Sequence, residues 1–322
     1  MINPGLIRKR IYEALRHPES NKDKTAQKLI KDLMRMFIGR VRVFTIMGKA
    51  GCGKGTLSGW FIKEINKLLP EGCRYETIVL GGYFRNVLKI RKDPAKASPQ
   101  DIEKYGSLAS LVTNDDLAQM KAGKMISDQT VINLVTEVLK AEPYNSAFGI
   151  FFDGFPRNLE QVRILQSGKI IWQNKPLHVD LYVYSHIPKS QDSVFKERAR
   201  MRISEEIAKA ALEKRPADIR EDDRPEVIDE RLVTFYQQTE PGIQYLLKNV
   251  KDKSFMLEGT TQGEIQDSIV MDRAKFTIGW MNKVGISMFG DKFRAMFGPI
   301  NGNIEDPLIS NPLNLKSQAI EI

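Results

Sequence analysis

The chain has 322 residues, 42% hydrophobic and 28% charged, which is the balance of a globular protein rather than a disordered or fibrous one. No apolar run approaches the ~20 residues a membrane-spanning helix needs, and Arg8, Lys9 and Arg10 lead into Ile11, Tyr12 and Glu13 rather than an apolar stretch, so neither a transmembrane helix nor a secretory signal is expected. The only cysteines, Cys52 and Cys73, fit reduced thiols in the cytoplasm and exclude a disulfide framework or a four-cysteine zinc site. The formal net charge is +9, and residues 1–42 hold eleven Lys and Arg against four Asp and Glu. A solvated helix face accounts for this arm; no aromatic-interleaved motif accompanies it, so no nucleic-acid partner is expected.

Two short amphipathic helices are predicted at the start, one with Ile7, Ile11 and Leu15 on a face and one with Leu29, Leu33, Met36 and Phe37, parted by Pro18 and polar residues. Residues 41–47 are β-branched or bulky and read as a strand; a glycine-rich turn follows, and helical periodicity resumes over 57–69. Further strands are expected at 75–80, 148–152, 179–184 and 254–257, each separated by helix-like segments. That alternation predicts a parallel sheet covered on both faces. Beyond residue 273 a stripe containing Phe276, Trp280, Met281, Met288 and Phe289 predicts a helix packed on the core, and the tail with Pro307 and Pro312 is expected to be loosely ordered.

The segment Gly48-Lys49-Ala50-Gly51-Cys52-Gly53-Lys54-Gly55-Thr56 lies where the first strand ends and a helix begins. Glycines there let successive N–H groups converge on phosphate oxygens, the helix N-terminus adds positive potential, and Lys54 can reach the terminal phosphates. Gly55 occupies the position where the general phosphate-loop pattern has a hydroxyl, and Thr56 comes one residue later. A second motif, Phe151-Phe152-Asp153-Gly154-Phe155-Pro156-Arg157 with Gln161 four residues on, closes the third predicted strand. A carboxylate at the end of an apolar strand beside a phosphate loop is placed to orient Mg²⁺ and its waters, and a guanidinium such as that of Arg157 can grip two phosphate oxygens together.

With these two motifs the chain resembles the adenylate kinase family of nucleoside monophosphate kinases, over about residues 41–273. The resemblance implies a P-loop three-layer α/β/α core with a five-stranded parallel sheet, a helical acceptor-binding insertion at about 81–127 and a lid at about 197–232. Basic residues 1–40 and residues 274–322 would be helical extensions, and the sequence assigns neither a partner. The implied reaction is reversible phosphoryl transfer from ATP·Mg to a nucleoside monophosphate, with AMP the expected acceptor.

The resemblance also implies roles residue by residue. The donor set is Gly48, Gly51, Cys52, Gly53, Lys54, Gly55, Thr56, Arg198, Arg202 and Gly259, the last lying against adenine. The acceptor set is Gly81 and Arg85 in Leu80-Gly81-Gly82-Tyr83-Phe84-Arg85, Ile126 and Val131 after Gly123-Lys124-Met125, then Gly154, Arg157, Gln161, Arg220 and Arg231. Lys54, Arg85, Asp153, Arg157, Arg198, Arg202, Arg220 and Arg231 would do the chemistry, and Gln161 would hydrogen-bond the acceptor base. Residues 203–216 are expected to add an extra amphipathic helix to the lid, which lacks the cysteines of zinc-bearing lids, so no zinc is expected. Leu80, where adenylate kinases usually place Ser or Thr, and Asn158 leave a UMP/CMP kinase open. A nucleotide-binding regulatory protein without turnover is a further alternative, against which the retained Lys54, Asp153 and arginines argue.

Overall fold

The structure, a computed structural model, describes residues 28, 41–92, 97–217, 219, 223–259 and 280. Both predicted N-terminal helices and most of the C-terminal extension lie outside the described residues, as does Arg220. In chain order the elements are β1 (Val43–Gly48), α1 (Lys54–Asn66), β2 (Tyr75–Val79), α2 (Leu80–Lys92), α3 (Pro99–Ala109), α4 (Asn114–Lys121), α5 (Asp128–Lys140), β3 (Gly149–Asp153) and α6 (Leu159–Gln166). They continue through a short hairpin of β4 (Ile171–Trp172) and β5 (Lys175–Pro176), then β6 (Leu181–His186), α7 (Ser193–Leu212), α8 (Pro225–Thr234), a π-helical turn (Phe235–Thr239), α9 (Glu240–Asn249) and β7 (Ser254–Glu258).

Five strands form one all-parallel sheet in the order β2-β3-β1-β6-β7. The near-continuous apolar run of β1 is what a strand buried on both faces requires, and all its residues before Gly48 are buried. From β1 the chain crosses to the edge strand β2 and returns to β3 between them, and then builds on the other side of β1 through β6 and β7. The carboxyl end of β1 is therefore a switch point, where parallel sheets open a crevice. Register fixes which residues meet there: Ile46 is opposite Asp153, and Gly48 is opposite Ser185.

Rings seal the layer beneath. Phe44 meets Phe151 edge-on at 4.8 Å and Phe61 of α1 at 5.7 Å, and Phe61 in turn meets Trp280 at 5.4 Å. Trp280 is helical and fully buried, so this residue of the predicted aromatic stripe does pack on the core. One expectation changes: residues from Ile203 onward do not start a separate helix but continue α7 without a break from Ser193. No Gly or Pro interrupts that stretch, so nothing ends the helix until Lys214 takes a positive φ of 52° ahead of Pro216.

Candidate active site

The phosphate loop leaves β1 through Gly48, whose φ is 145°. A Cβ there would lie 2.5 Å from the Ser185 carbonyl oxygen of the neighbouring strand, so only glycine lets the loop start this close to β6. Lys54, the first residue of α1, folds back over the loop, and its Nζ donates to the carbonyls of Gly48 (2.9 Å) and Lys49 (2.7 Å). The ammonium therefore stands at the helix N-terminus, where free N–H groups and the helix dipole already favour anions.

Asp153 ends β3 beside this lysine and is nearly buried, at 8% exposure. A Cβ on Gly55 would sit 3.3 Å from its Oδ2. The glycine in place of the usual hydroxyl thus leaves room for the carboxylate. Burial raises the pKa of Asp153, opposed by the charges of Lys54, Arg157 and Arg85, and the net direction is upward.

A cavity of about 710 Å³ opens next to Asp153 and is bounded by α2, the 123–126 loop, α5 and the start of α6. Its lining includes Gly81, Arg85, Ile126, Val131, Gly154, Arg157, Gln161 and Arg231, every member of the expected acceptor set that falls within the described residues. Measured from a Cβ built on Gly81, Arg85 Nη1 lies at 3.2 Å and Arg157 Nη2 at 3.6 Å, so the two guanidinium groups meet over the same glycine. Arg157 is held in place by its own Nε, which donates to the Gly154 carbonyl at 2.8 Å. A smaller cleft of about 100 Å³ brings Lys54 together with Arg157 and Arg231.

On the other side of the loop, Arg198 Nη1 of α7 donates to the Gly51 carbonyl at 2.9 Å. Arg202 makes a two-pronged pair with Asp223, Nη2 to Oδ1 at 2.6 Å and Nε to Oδ2 at 3.1 Å, and its guanidinium also approaches Gly51. Gly259 follows β7, with its N–H donating to the His186 carbonyl at 2.8 Å, across the end of the sheet. Cys52 is buried and Thr56 exposed. Among the described residues no group of three His, Cys, Asp or Glu is placed to hold a metal ion, and no helix is long and apolar enough to cross a membrane.

No protein-family model matches the chain. Curated relatives do: the adenylate kinase of Rickettsia bellii is 28% identical over 238 residues, spanning 70% of this chain and 96% of the relative. That of Parabacteroides distasonis is 25% identical over 227 residues, covering 70% and 95%, and that of Brucella melitensis biotype 1 is 28% identical over 200 residues, covering 62% and 82%. The chain is a distant relative of the adenylate kinases. The five-stranded parallel sheet flanked by helices agrees with the core expected for that relationship.

The chain also carries polar residues at the site that its motifs do not include. Lys49 is 2% exposed and donates to the Ile187 carbonyl (2.8 Å) and Asp192 Oδ1 (2.7 Å). Asp128 Oδ1 accepts from Asn158 Nδ2 (2.7 Å) and Gln161 Nε2 (2.8 Å). Asp116 Oδ2 accepts from Thr113 and Thr130, and its Oδ1 from the Ser127 N–H, tying α4 to α5 on either side of the Ile126 loop. The first of these is visible in the sequence only as a long cation in a loop of small residues. For Asp116 the signal was the Thr113 to Asp116 spacing of a capping box.

Proposed function

We propose that this chain catalyses reversible transfer of a phosphoryl group from ATP·Mg to a nucleoside monophosphate, with AMP as the acceptor, giving two ADP. One observation carries the reading: Lys54, Arg157 and Arg231 line a single narrow cleft, and Arg157 and Arg231 also line the larger cavity that holds Arg85. A donor triphosphate on the phosphate loop would point its end into that cleft, where a monophosphate gripped by Arg85 and Arg157 presents an attacking oxygen. The attacking oxygen is already ionised, so no general base is required. Catalysis of this kind rests on alignment and on neutralising charge over the moving phosphoryl oxygens, and a single well-placed arginine contributes about 10³- to 10⁵-fold in related chemistry.

Mg²⁺ fits the donor set at Asp153, a hard carboxylate oxygen beside Lys54 and Gly55, because this ion keeps several waters and needs only one or two carboxylates besides nucleotide phosphates. When bound it supplies positive charge to the donor phosphates. Arg198 and Arg202, projecting from α7 toward Gly51, would cover the donor from the lid side and exclude water that would otherwise accept the phosphoryl group. Leu80 lines the acceptor cavity with an apolar side chain, which keeps UMP or CMP as the second reading.

The test is a coupled assay with purified full-length protein, ATP·Mg and each monophosphate in turn. ADP formation with AMP is expected, abolished by Lys54→Ala and by Arg157→Ala with circular dichroism unchanged. Phosphorylation of UMP or CMP but not AMP would reverse the acceptor, and silence with every monophosphate would leave a nucleotide-binding protein without turnover.

A further inference from the structure

Lys49 sits inside the phosphate loop but points away from the cleft. Its ammonium is enclosed by protein: Ile187 and Asp192 accept its hydrogens, the Tyr236 ring lies 4.7 Å from Nζ, and Phe195 and Phe235 lie at 5.6 and 5.8 Å. A buried cation is costly unless paired and hydrogen-bonded, and here both conditions are met, with aromatic faces completing the shell. Asp192 is itself shared, since its Oδ2 accepts from the Tyr236 hydroxyl at 2.7 Å.

What this ion pair joins is the point of interest. The Lys49 carbonyl is one of the two that hold the Lys54 ammonium. Asp192 immediately precedes α7, the helix that carries Arg198 and Arg202. Tyr236 belongs to the π-helical turn directly after α8, which carries Arg231. Below the ion, Cys52 of the loop, Ile187, Phe195, Ala199 and Ile228 form one small apolar cluster drawn from the same elements. A neutral small residue at position 49 would leave the loop without this tether.

We propose that Lys49 is a positioning residue, whose ion pair with Asp192, backed by Tyr236, holds the phosphate loop in register with α7, which brings Arg198 and Arg202 to the donor nucleotide, and with α8, which brings Arg231 to the cleft between donor and acceptor. The inference rests on the reading above that ATP occupies this loop. Lys49 touches no reacting atom; it acts through Lys54, α7 and α8. Its loss therefore lowers donor affinity and turnover first: the side chains it contacts lie outside the acceptor cavity, and Arg231, which does line it, packs beside Gly123 of the cavity wall rather than against Lys49.

The experiment compares full-length wild type, Lys49→Met, Lys49→Met with Asp192→Asn, and Tyr236→Phe. ATP·Mg affinity is read by calorimetry, and KM for ATP, KM for the monophosphate and kcat by the coupled assay. Lys49→Met should weaken ATP binding at least tenfold and lower kcat, with KM for the monophosphate within twofold; the double variant should be no worse than the single. Should Lys49→Met fail to fold, Tyr236→Phe, which keeps the ring and loses one hydrogen bond, decides by a two- to fivefold weakening of ATP binding with its melting temperature unchanged. ATP affinity within twofold of wild type in a folded Lys49→Met, or unchanged affinity in Tyr236→Phe where that variant decides, overturns the inference. So does a kcat loss with no change in ATP affinity, the mark of a smaller folded fraction. A wild type that binds no ATP would bring down the underlying reading, and the inference with it.

Discussion

Gln161 donates an Nε2 hydrogen to Asp128 Oδ1 at 2.8 Å while its Oε1 accepts the backbone N–H of Arg157 at 2.7 Å, and together these bonds fix which end of the amide is which. The side chain is buried at the edge of the acceptor cavity, and one N–H and one oxygen lone pair remain for a ligand. A base edge that pairs a ring-nitrogen acceptor with an exocyclic amine, as in adenine or cytosine, complements that fixed order. Uracil and guanine present the reverse.

The expected outcome is that AMP and CMP are better acceptors than UMP and GMP by at least about tenfold in kcat/KM, the worth of a buried hydrogen bond left unmade. Asp128→Ala frees the amide to turn. It should lower kcat/KM for AMP by about 10- to 100-fold and narrow the gap to UMP, measured with the same coupled assay. Equal use of all four monophosphates by the wild type would show that Gln161 does not read the base.

Asp153 offers a test by pH. Its pKa is raised by burial in spite of Lys54, Arg157 and Arg85, so between the ordinary carboxylate value of about 3.9 and its own higher one the folded protein holds a proton that the unfolded chain has released. Stability contributed by this group therefore falls as pH rises through that window. Asp153→Asn, which carries no charge to bury, should melt at or above the wild-type temperature at pH 7 to 8, and the difference should vanish below about pH 4. The same variant should lose transfer activity, and a lower melting temperature at neutral pH would contradict the account.

Much of the architecture is legible from periodicity and spacing, because the elements that matter are local. The β1 run, the glycine loop and Lys54 are contiguous, and the Asp153 to Gln161 motif spans nine residues of chain. The hairpin of β4 and β5 was not foreseen: each strand has two residues, and the turn places Gln173 and Asn174 at positive φ, a conformation to which glutamine gives no clue. The burial of Lys49 was equally hidden, since its two acceptors lie 138 and 143 residues further along the chain. An extra amphipathic helix over 203–216 was expected, but no Gly or Pro parts it from the residues before Ile203, so the two stretches form one helix.

Gly55 separates stability from activity. It is the second residue of α1 and exposed, so alanine there should favour the helix by up to about 1 kcal/mol. The added Cβ would press to 3.3 Å on Asp153 Oδ2, which is buried and has little room to retreat. Gly55→Ala is therefore expected to melt no lower than wild type while its kcat falls about tenfold, as displacement of a group that must be aligned to within an ångström implies. Wild-type kcat in this variant would mean that the carboxylate does not need its present position.

Asp116 links the stability of the acceptor side to pH with the opposite sign from Asp153. Burial alone would raise its pKa, but hydrogen bonds from the Ser127 and Thr113 N–H groups and from the hydroxyls of Thr113 and Thr130 outweigh it, and the net direction is downward. Its stabilising contribution is thus complete above the ordinary carboxylate value of about 3.9 and is lost as pH falls through the lower folded value. Replacing the acceptor-only carboxylate by an amide strands donors around it, so Asp116→Asn should cost about 1 to 3 kcal/mol at pH 7, measured by urea unfolding. Because Ser127 ends the loop that carries Ile126 into the cavity, the variant should also raise KM for the monophosphate without changing that for ATP. Were both KM values to rise together, the carboxylate would be supporting the fold as a whole rather than the acceptor wall.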